Sequence, residues 1–163
     1  MRVLGIDPAL NKTGWGVVDL APDKALRYIA SGIIKVSAGD ALFEKLRVIS
    51  SEVIEVINCY APDDISIEEI FVNRNPSTSL KLGHARGAIM VSCLSGRAGI
   101  YEYGANQIKK TICGAGKADK SQVSMMVKQI LPQASWSYDD ESDALAAAIC
   151  HIHHKQFYHK IAS

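Results

Sequence analysis

Four acidic residues occupy positions that a role in catalysis or metal binding explains better than a place on a solvated surface does. Asp7 and Glu68 each directly follow an isoleucine at the end of an apolar, strand-like run. Asp140 and Asp143 lie three residues apart at the start of a helical pattern, which puts their side chains about 60° apart around the helix axis. If the two strands pair side by side, we expect the carboxylates to meet at one edge of a sheet.

Converging carboxylates repel one another unless they are protonated or bound to cations. Mg²⁺ prefers oxygen ligands and keeps positions open for water and phosphate oxygens. Two such ions about 3.5–4 Å apart can activate a water and stabilise the leaving oxygen of a phosphodiester. The pattern therefore indicates metal-dependent phosphodiester chemistry. Simpler explanations stay open at this point: Asp7 caps the turn before Pro8, and acids at a helix N-terminus are favoured by the helix dipole.

The basic residues are unevenly distributed along the chain. The formal net charge is only +1, but residues 74–128 hold nine Lys and Arg residues against two acids, a net charge of +7. The remainder carries −6. This asymmetry predicts a basic surface for a polyanion beside an acidic centre. The alternative is a set of separately solvated lysines.

Length and composition are those of a folded domain. The chain has 163 residues, of which 48% are apolar and 21% charged, enough to bury one core. The apolar runs are too short for a membrane span, and Asp7 comes too early for the apolar region of a signal peptide. We therefore expect a cytoplasmic protein with no membrane association. Four scattered cysteines with no C-x-x-C pair predict buried free thiols.

The periodicity predicts strands and helices that would position the acids. We expect a mixed five-stranded sheet covered by helices, an α/β fold. A second helix should begin with Asn75 as N-cap and Pro76 at its first position. Gly83 and Gly87 lie four apart on one face of that helix, which suits close packing against another backbone. The strands are predicted at residues 2–7, 13–19, 26–36, 64–71 and 99–105. The apolar spacing predicts a first helix that includes residues 42–57, and two further helical segments that include residues 108–112 and 123–130 on either side of a loop at 114–119. The last helix is predicted to begin near residue 140.

Four segments of the sequence resemble the RuvC-type Holliday junction resolvases of bacteria. They are "LGIDPALNKTGWGVVD", "IEEIFVNRNPSTSLKLGHARG", "KADKSQV" and "DDESDALAAAICH". The segments occur in the same order as in the family, and the resemblance extends over almost the whole sequence. The resemblance implies an RNase H-like fold over residues 1–163 as one nuclease domain, with helices on both faces of the sheet. It also implies a homodimer that cuts four-way DNA junctions by paired nicks, using Mg²⁺ (two ions per site, with Mn²⁺ as a substitute), and a RuvAB branch-migration partner.

Matched residue by residue, the family's four catalytic acids and metal ligands fall on Asp7, Glu68, Asp140 and Asp143. The neighbouring Asp139 is rejected because the family's D-x-x-D-A-L pattern begins one residue later. The sequence departs from the common pattern at Ala9, where the family usually has glycine.

Other positions are carried over from the same resemblance. Lys109 and Lys120 resemble lysines near the scissile phosphate; the alternative is phosphate positioning without catalysis. Phe71 resembles an aromatic that stacks on bases, although such a residue is more often part of the core. The other expected DNA contacts are Arg74, Lys81, Arg86 and Lys117, and the expected dimer interface includes Gly83 and Gly87. His151, His153, His154 and His159 are predicted to be solvated or to partner the helix end.

Two other functions share parts of this pattern. Actin-like ATPases have a similar opening hairpin, but they need two lobes and a second nucleotide hairpin, and this chain shows neither. An RNase H-like nuclease acting on structured RNA shares the fold, but the "LKLGHARG" and D-x-x-D-A-L segments suit the resolvases better. A junction-binding protein without catalysis is disfavoured because all four acids are present.

Overall fold

The chain alternates strands and helices, and the computed structural model describes residues 1–70 and 75–162, with side chains to residue 158. Phe71 and Arg74 therefore lie outside the described residues. The strands are β1 (Arg2–Asp7), β2 (Lys12–Leu20), β3 (Leu26–Lys35), β4 (Asp64–Glu68) and β5 (Gly99–Tyr103). The helices are α1 (Leu42–Tyr60), α2 (Pro76–Cys93), α3 (Ala105–Cys113), α4 (Lys120–Ile130) and α5 (Asp139–Ala162).

The strands of the described residues form one sheet in the order β3-β2-β1-β4-β5. The first three strands are antiparallel neighbours, whereas β1 pairs parallel with β4 and β4 pairs parallel with β5. Ile6 of β1 is the register partner of Ile67 of β4. Asp7 and Glu68, one residue further along, therefore end neighbouring strands at the same edge. The mixed five-stranded sheet predicted from the sequence is confirmed.

Helices cover both faces of this sheet. On one face, Leu4 and Ile6 of β1 join a buried cluster with residues of α1 and α2. On the other, Val3 of β1 joins a second cluster with residues of α3, α4 and α5. The split follows from the alternation of side chains along a strand. It also means that Asp7, like Val3, projects toward α5.

Helix α5 packs unusually close to β1 and β2 because glycines leave room for its backbone. A Cβ atom on Gly5 would lie 1.9 Å from the carbonyl oxygen of Ala144, and one on Gly16 would lie 2.6 Å from the side chain of Leu145. No side chain fits at these distances without a shift. The glycines of the opening hairpin thus let the helix that carries Asp140 and Asp143 lie against the strand that carries Asp7.

Helix α2 begins as predicted. The Asn75 side chain accepts hydrogen bonds from the backbone N–H groups of Ser77 and Thr78, with Pro76 at the first helical position. The two glycines of this helix behave differently from those of the hairpin: Gly83 and Gly87 are exposed, and a Cβ on either would meet no atom within 4 Å. Packing against the described part of the chain therefore does not explain them.

The prediction that the C-terminal histidines are solvated is wrong for His151. Its side chain is only 1% exposed, because α5 continues to residue 162 and places His151 well inside the helix, under the sheet. His151 Nε2 lies 3.0 Å from Asp64 Oδ2, and Nδ1 lies 2.8 Å from the Tyr103 hydroxyl. The imidazole thus joins α5 to β4 and β5. His159 has no described side chain.

Other differences from the sequence-based expectations are small. Strand β4 ends at Glu68 and β5 at Tyr103, since α3 begins at Ala105, where the strand was predicted to end. All four cysteines are free, but only Cys93 and Cys150 are buried, and Cys59 is exposed. Within the described residues, no helix combines the length and the apolar character that a membrane crossing requires.

Candidate active site

Asp7, Glu68 and Asp143 line a pocket of about 180 Å³ at the edge of the sheet. The first two reach it from the ends of β1 and β4, and Asp143 reaches it from the first turns of α5. Lys109 of α3 and Lys120 of α4 line the same pocket, and the apolar side chains of Ile108 and Val123 complete it. Five elements that are distant in sequence thus place three carboxylates and two ammonium groups together.

Asp140 lies beside this pocket rather than in its lining. It borders a neighbouring groove of about 660 Å³, yet its charge still acts on Asp7. Gly14, the register partner of Asp7, permits the approach: a Cβ at this position would lie 2.0 Å from the Asp140 carbonyl oxygen. The fourth acid is therefore held close to the first by a glycine in β2.

Lys120 is the basic residue most directly tied to the acids. Its Nζ donates a hydrogen bond to Asp143 Oδ2 at 3.0 Å. The residue stands at the start of α4, where Asp119 and Gln122 form a reciprocal capping box, which fixes the helix start from which the lysine extends. Lys109 faces the same pocket from α3.

Burial and mutual repulsion perturb the acids of the pocket. Burial, with the charges of Glu68, Asp143 and Asp140, raises the pKa of Asp7 well above its usual value. Burial, with the charge of Asp143, raises the pKa of Glu68 to about 7. Burial also raises the pKa of Asp143, although the hydrogen bond from Lys120 opposes the shift. Without a cation, full ionisation of the cluster is unfavourable.

The donor set suits a hard divalent cation. The acidic groups offer only oxygen ligands, which Mg²⁺ and Mn²⁺ prefer to nitrogen or sulfur. The raised pKa values of Asp7, Glu68 and Asp143 mean that added positive charge would stabilise their ionised forms. Within residues 1–70 and 75–162, no three acidic, imidazole or thiol side chains lie close enough to one another to coordinate one metal ion together. The carboxylates surround the pocket, and Lys120 supplies positive charge at one side of it.

The remaining residues predicted from the sequence lie in different surroundings. Lys81 is exposed and borders the groove next to Asp140, and Lys117 is exposed in the loop between α3 and α4. Arg86 forms an ion pair with Glu102 of β5, so a phosphate would have to compete with that carboxylate. Phe71 and Arg74 lie outside the described residues.

The sequence reasoning missed Gly14 as a residue that positions the site. The signal was present: Gly5, Gly14 and Gly16 alternate on one face of two paired strands. Glycines repeated on one face of a strand pair indicate that another backbone approaches closely.

Comparison with known proteins identifies the family. Residues 3–151 match the family described as crossover junction endodeoxyribonuclease RuvC. The RuvC of Paramagnetospirillum magneticum is 44% identical over 162 residues, which cover 99% of this chain and 97% of that protein. The RuvC of Bordetella avium is 48% identical over 153 residues, covering 94% of this chain and 84% of that protein.

Comparison with solved structures supports the same family. T. thermophilus RuvC, determined in complex with a Holliday junction substrate, superposes with a TM-score of 0.89 at 31% identity, covering 96% of both chains. The yeast mitochondrial Holliday junction resolvase Ydc2 superposes with a TM-score of 0.66 at 10% identity, which shows the shared fold alone.

The sheet order, the helices on both faces and these matches define an endonuclease with the RNase H-like fold. More narrowly, the chain belongs to the crossover junction endodeoxyribonuclease RuvC family. The fold and the family predicted from the sequence are confirmed. The ATPase and RNA-nuclease alternatives find no support in these matches.

Proposed function

We propose that this protein resolves four-way DNA junctions by paired, metal-dependent nicks on opposite strands. The observation that carries the proposal is the pocket at the edge of the sheet, where Asp7, Glu68 and Asp143 meet Lys109 and Lys120. Membership of a family named for crossover junction cleavage supports four-way junction DNA as the substrate. The solved complex of the T. thermophilus relative with a Holliday junction supports it further.

In this proposal Asp7, Glu68, Asp140 and Asp143 hold divalent cations, two Mg²⁺ ions per site, for which Mn²⁺ can substitute. When bound, such ions activate a water and neutralise charge on the phosphodiester. The acids supply the ligand oxygens, and the apolar walls of Ile108 and Val123 limit the water around them. Lys120 and Lys109 place ammonium groups where negative charge develops on the phosphate, an arrangement that stabilises a transition state.

The remaining contacts in the proposal position the DNA. Lys81, Arg86 and Lys117 bind backbone phosphates, and the same role is proposed for Arg74. Phe71 stacks on a base near the junction centre, an interaction worth about 1–3 kcal/mol per base. Arg86 contributes only if a phosphate displaces Glu102, so we expect it to contribute less than the exposed lysines.

We further propose that the protein acts as a homodimer through the outer face of α2. Two large apolar side chains on this face are exposed, Leu80 at 64% and Val91 at 70%, and so is Leu94 at 72%, directly after the helix. Gly83 and Gly87 lie between them, at spacings of three and four residues, and none of the residues that the structure describes covers either glycine. A stripe with this period suits a second helix. A twofold dimer would offer one acid cluster to each of the two strands that are nicked.

The same proposal includes the domain organisation, the partner and the cellular location. Residues 1–163 act as one nuclease domain, with junction DNA as substrate and the RuvAB branch-migration complex as partner. The relatives are bacterial, and a chromosomal DNA substrate puts the activity in the bacterial cytoplasm.

The test is incubation of the protein with a synthetic four-way junction and Mg²⁺, with a linear duplex of the same sequence as control. Each junction strand is labelled in turn, and the products are separated by length. We expect nicks in two opposite strands of the junction and no cutting of the duplex. Equal cutting of junction and duplex, or hydrolysis of ATP without nicking, would contradict the proposal.

A further inference from the structure

A second basic surface lies on the other side of Asp140 from the pocket. It borders the groove of about 660 Å³, which we call the hairpin groove. The turn between β1 and β2 forms one wall, and α1 and α2 form the others. Three lysines from three different elements line it: Lys12 (β2), Lys45 (α1) and Lys81 (α2). Asp140 is the only acid among the described residues of that lining.

Lys45 is the most informative of the three. The residue is only 7% exposed, and its Nζ donates to two neutral acceptors, Asn11 Oδ1 at 3.1 Å and the Ala38 carbonyl oxygen at 3.0 Å. Among the described residues, Lys45 forms no ion pair. A buried ammonium is costly unless an anion or several hydrogen bonds compensate it. Here hydrogen bonds orient the charge but leave it unneutralised, facing a groove.

Lys12 and its register partner Lys35 both place their ammonium groups beside Tyr138. Their Nζ atoms lie 5.0 Å and 4.2 Å from the centroid of the Tyr138 ring, and Lys35 also donates to the Tyr138 hydroxyl at 2.6 Å. Tyr138 directly precedes α5. Both ammonium groups are therefore held next to the helix that carries the acids, although neither residue belongs to the basic segment 74–128.

We propose that the hairpin groove binds the backbone phosphates of the junction strand that flanks the cleaved bond. This inference rests on the proposed function. Asp140 lies between the groove and the pocket, so a strand that passes the acid cluster reaches Lys12, Lys45 and Lys81 next. An oriented but unneutralised ammonium group is suited to a phosphate oxygen, and lysines on separate elements are suited to successive phosphates of one strand.

The experiment compares the salt dependence of junction binding for wild type and a Lys12→Gln/Lys45→Gln variant, in buffer without divalent cations so that no cleavage occurs. The plot of log affinity against log salt concentration has a slope of about −0.9 per phosphate contact on duplex DNA. We expect the variant to lose roughly two contacts, so its slope becomes about 1.8 less steep. The matched control is Lys24→Gln, because Lys24 is exposed in the turn at the opposite end of β2; its slope should equal that of wild type.

Glutamine at position 45 retains a donor for Asn11 and Ala38, and thermal melting checks that the variant folds. If it does not fold, Lys12→Gln alone replaces it, because Lys12 is exposed, and its slope is then expected to become about 0.9 less steep, the loss of one contact. If the slope is unchanged and the wild type binds and cuts the junction, the proposal that the hairpin groove binds phosphates is wrong, and the proposed function is unaffected. A wild type that does not bind the junction overturns the proposed function itself.

Discussion

The ammonium group of Lys120 donates a hydrogen bond to Asp143 Oδ2 across 3.0 Å, joining the start of α4 to the first turns of α5. This bond raises the pKa of Lys120, so the lysine stays protonated. It also holds a positive charge beside carboxylates whose ionisation burial and repulsion oppose. Lys120 is therefore placed to act on the chemistry and not only on DNA affinity.

Lys120→Ala should slow junction cleavage by about 10²–10³-fold at saturating junction, the cost of removing one group that stabilises developing charge. Binding should change little, since the phosphates are proposed to be bound by other lysines and arginines. The measurement is single-turnover cleavage with the dissociation constant determined in parallel. Lys110→Ala is the matched control, because Lys110 is an exposed lysine on α3 that does not line the pocket. Equal effects of the two substitutions, or a loss confined to binding, would contradict a role in the chemistry.

The stability of the cation-free protein should fall as pH rises. Burial and the charge of Asp143 raise the pKa of Glu68 from 4.5 to about 7, so the folded state holds this proton more tightly than the unfolded state. The resulting stability is fully present below the unfolded pKa and is lost as pH rises through about 7. At about 1.4 kcal/mol per pKa unit, the loss in the free energy of unfolding is on the order of 3–4 kcal/mol. Urea unfolding in chelator between pH 4.5 and 8 measures it.

Glu68→Gln should make this pH profile shallower, with Asp7 and Asp143 accounting for what remains. Glu69→Gln, a change at an exposed neighbour outside the pocket, should leave the profile as in wild type. Mg²⁺ should restore stability to the wild type at pH 8, because a ligand that binds only the folded state stabilises it. Identical pH profiles for wild type and Glu68→Gln would show that Glu68 is not the group that titrates.

Much of this arrangement could be predicted because it depends on local patterns. The isoleucines before Asp7 and Glu68 identified two strand ends, and the Asn75-Pro76 pair identified the start of α2. The close approach of α5 could not be predicted in the same way. It depends on which glycines face which helix, and that is set by strand register and packing between residues more than a hundred positions apart.

Gly14→Ala tests how far the site depends on that approach. A Cβ at this position would lie 2.0 Å from the Asp140 carbonyl oxygen, so the first turn of α5 must move away from Asp7. We expect a lower melting temperature and a large loss of cleavage with junction binding retained. Gly39→Ala is the control, since its Cβ would meet no atom closer than 4.0 Å. Wild-type cleavage by Gly14→Ala would show that the acids tolerate displacement of the helix.

Gly87→Leu tests the proposed dimer. Nothing within 4 Å would meet a Cβ at this position, so the chain should still fold, but the larger side chain should prevent close contact with a second α2. We expect a monomer by sedimentation and loss of coordinated nicks on opposite strands, with isolated nicks persisting because each acid cluster lies within one chain. Ser51→Leu, on the exposed surface of α1, should remain a dimer. A dimeric Gly87→Leu protein that makes paired incisions would place the interface elsewhere.

His151 shows why other features of the structure could not be predicted from the sequence. A histidine among other histidines near the end of a chain is usually solvated, yet this one is buried beside Asp64 and Tyr103. Burial lowers its pKa despite the hydrogen bond with Asp64. The partners are 87 and 48 positions away, and only the pairing of β4 with β5 brings them under the same turn of α5.

The central claim is that the acid cluster around Asp7 performs the cleavage while basic residues supply the affinity. Single-turnover cleavage of a four-way junction in Mg²⁺ by Asp7→Asn tests it most directly, with junction binding and the melting temperature measured on the same preparation. Asp40→Asn, at an exposed loop position, is the control for loss of one carboxylate. We predict that Asp7→Asn binds the junction as tightly as wild type, melts no lower, and loses most cleavage, while Asp40→Asn cuts normally. Near-wild-type cleavage by a folded Asp7→Asn protein would contradict the assignment of the active site.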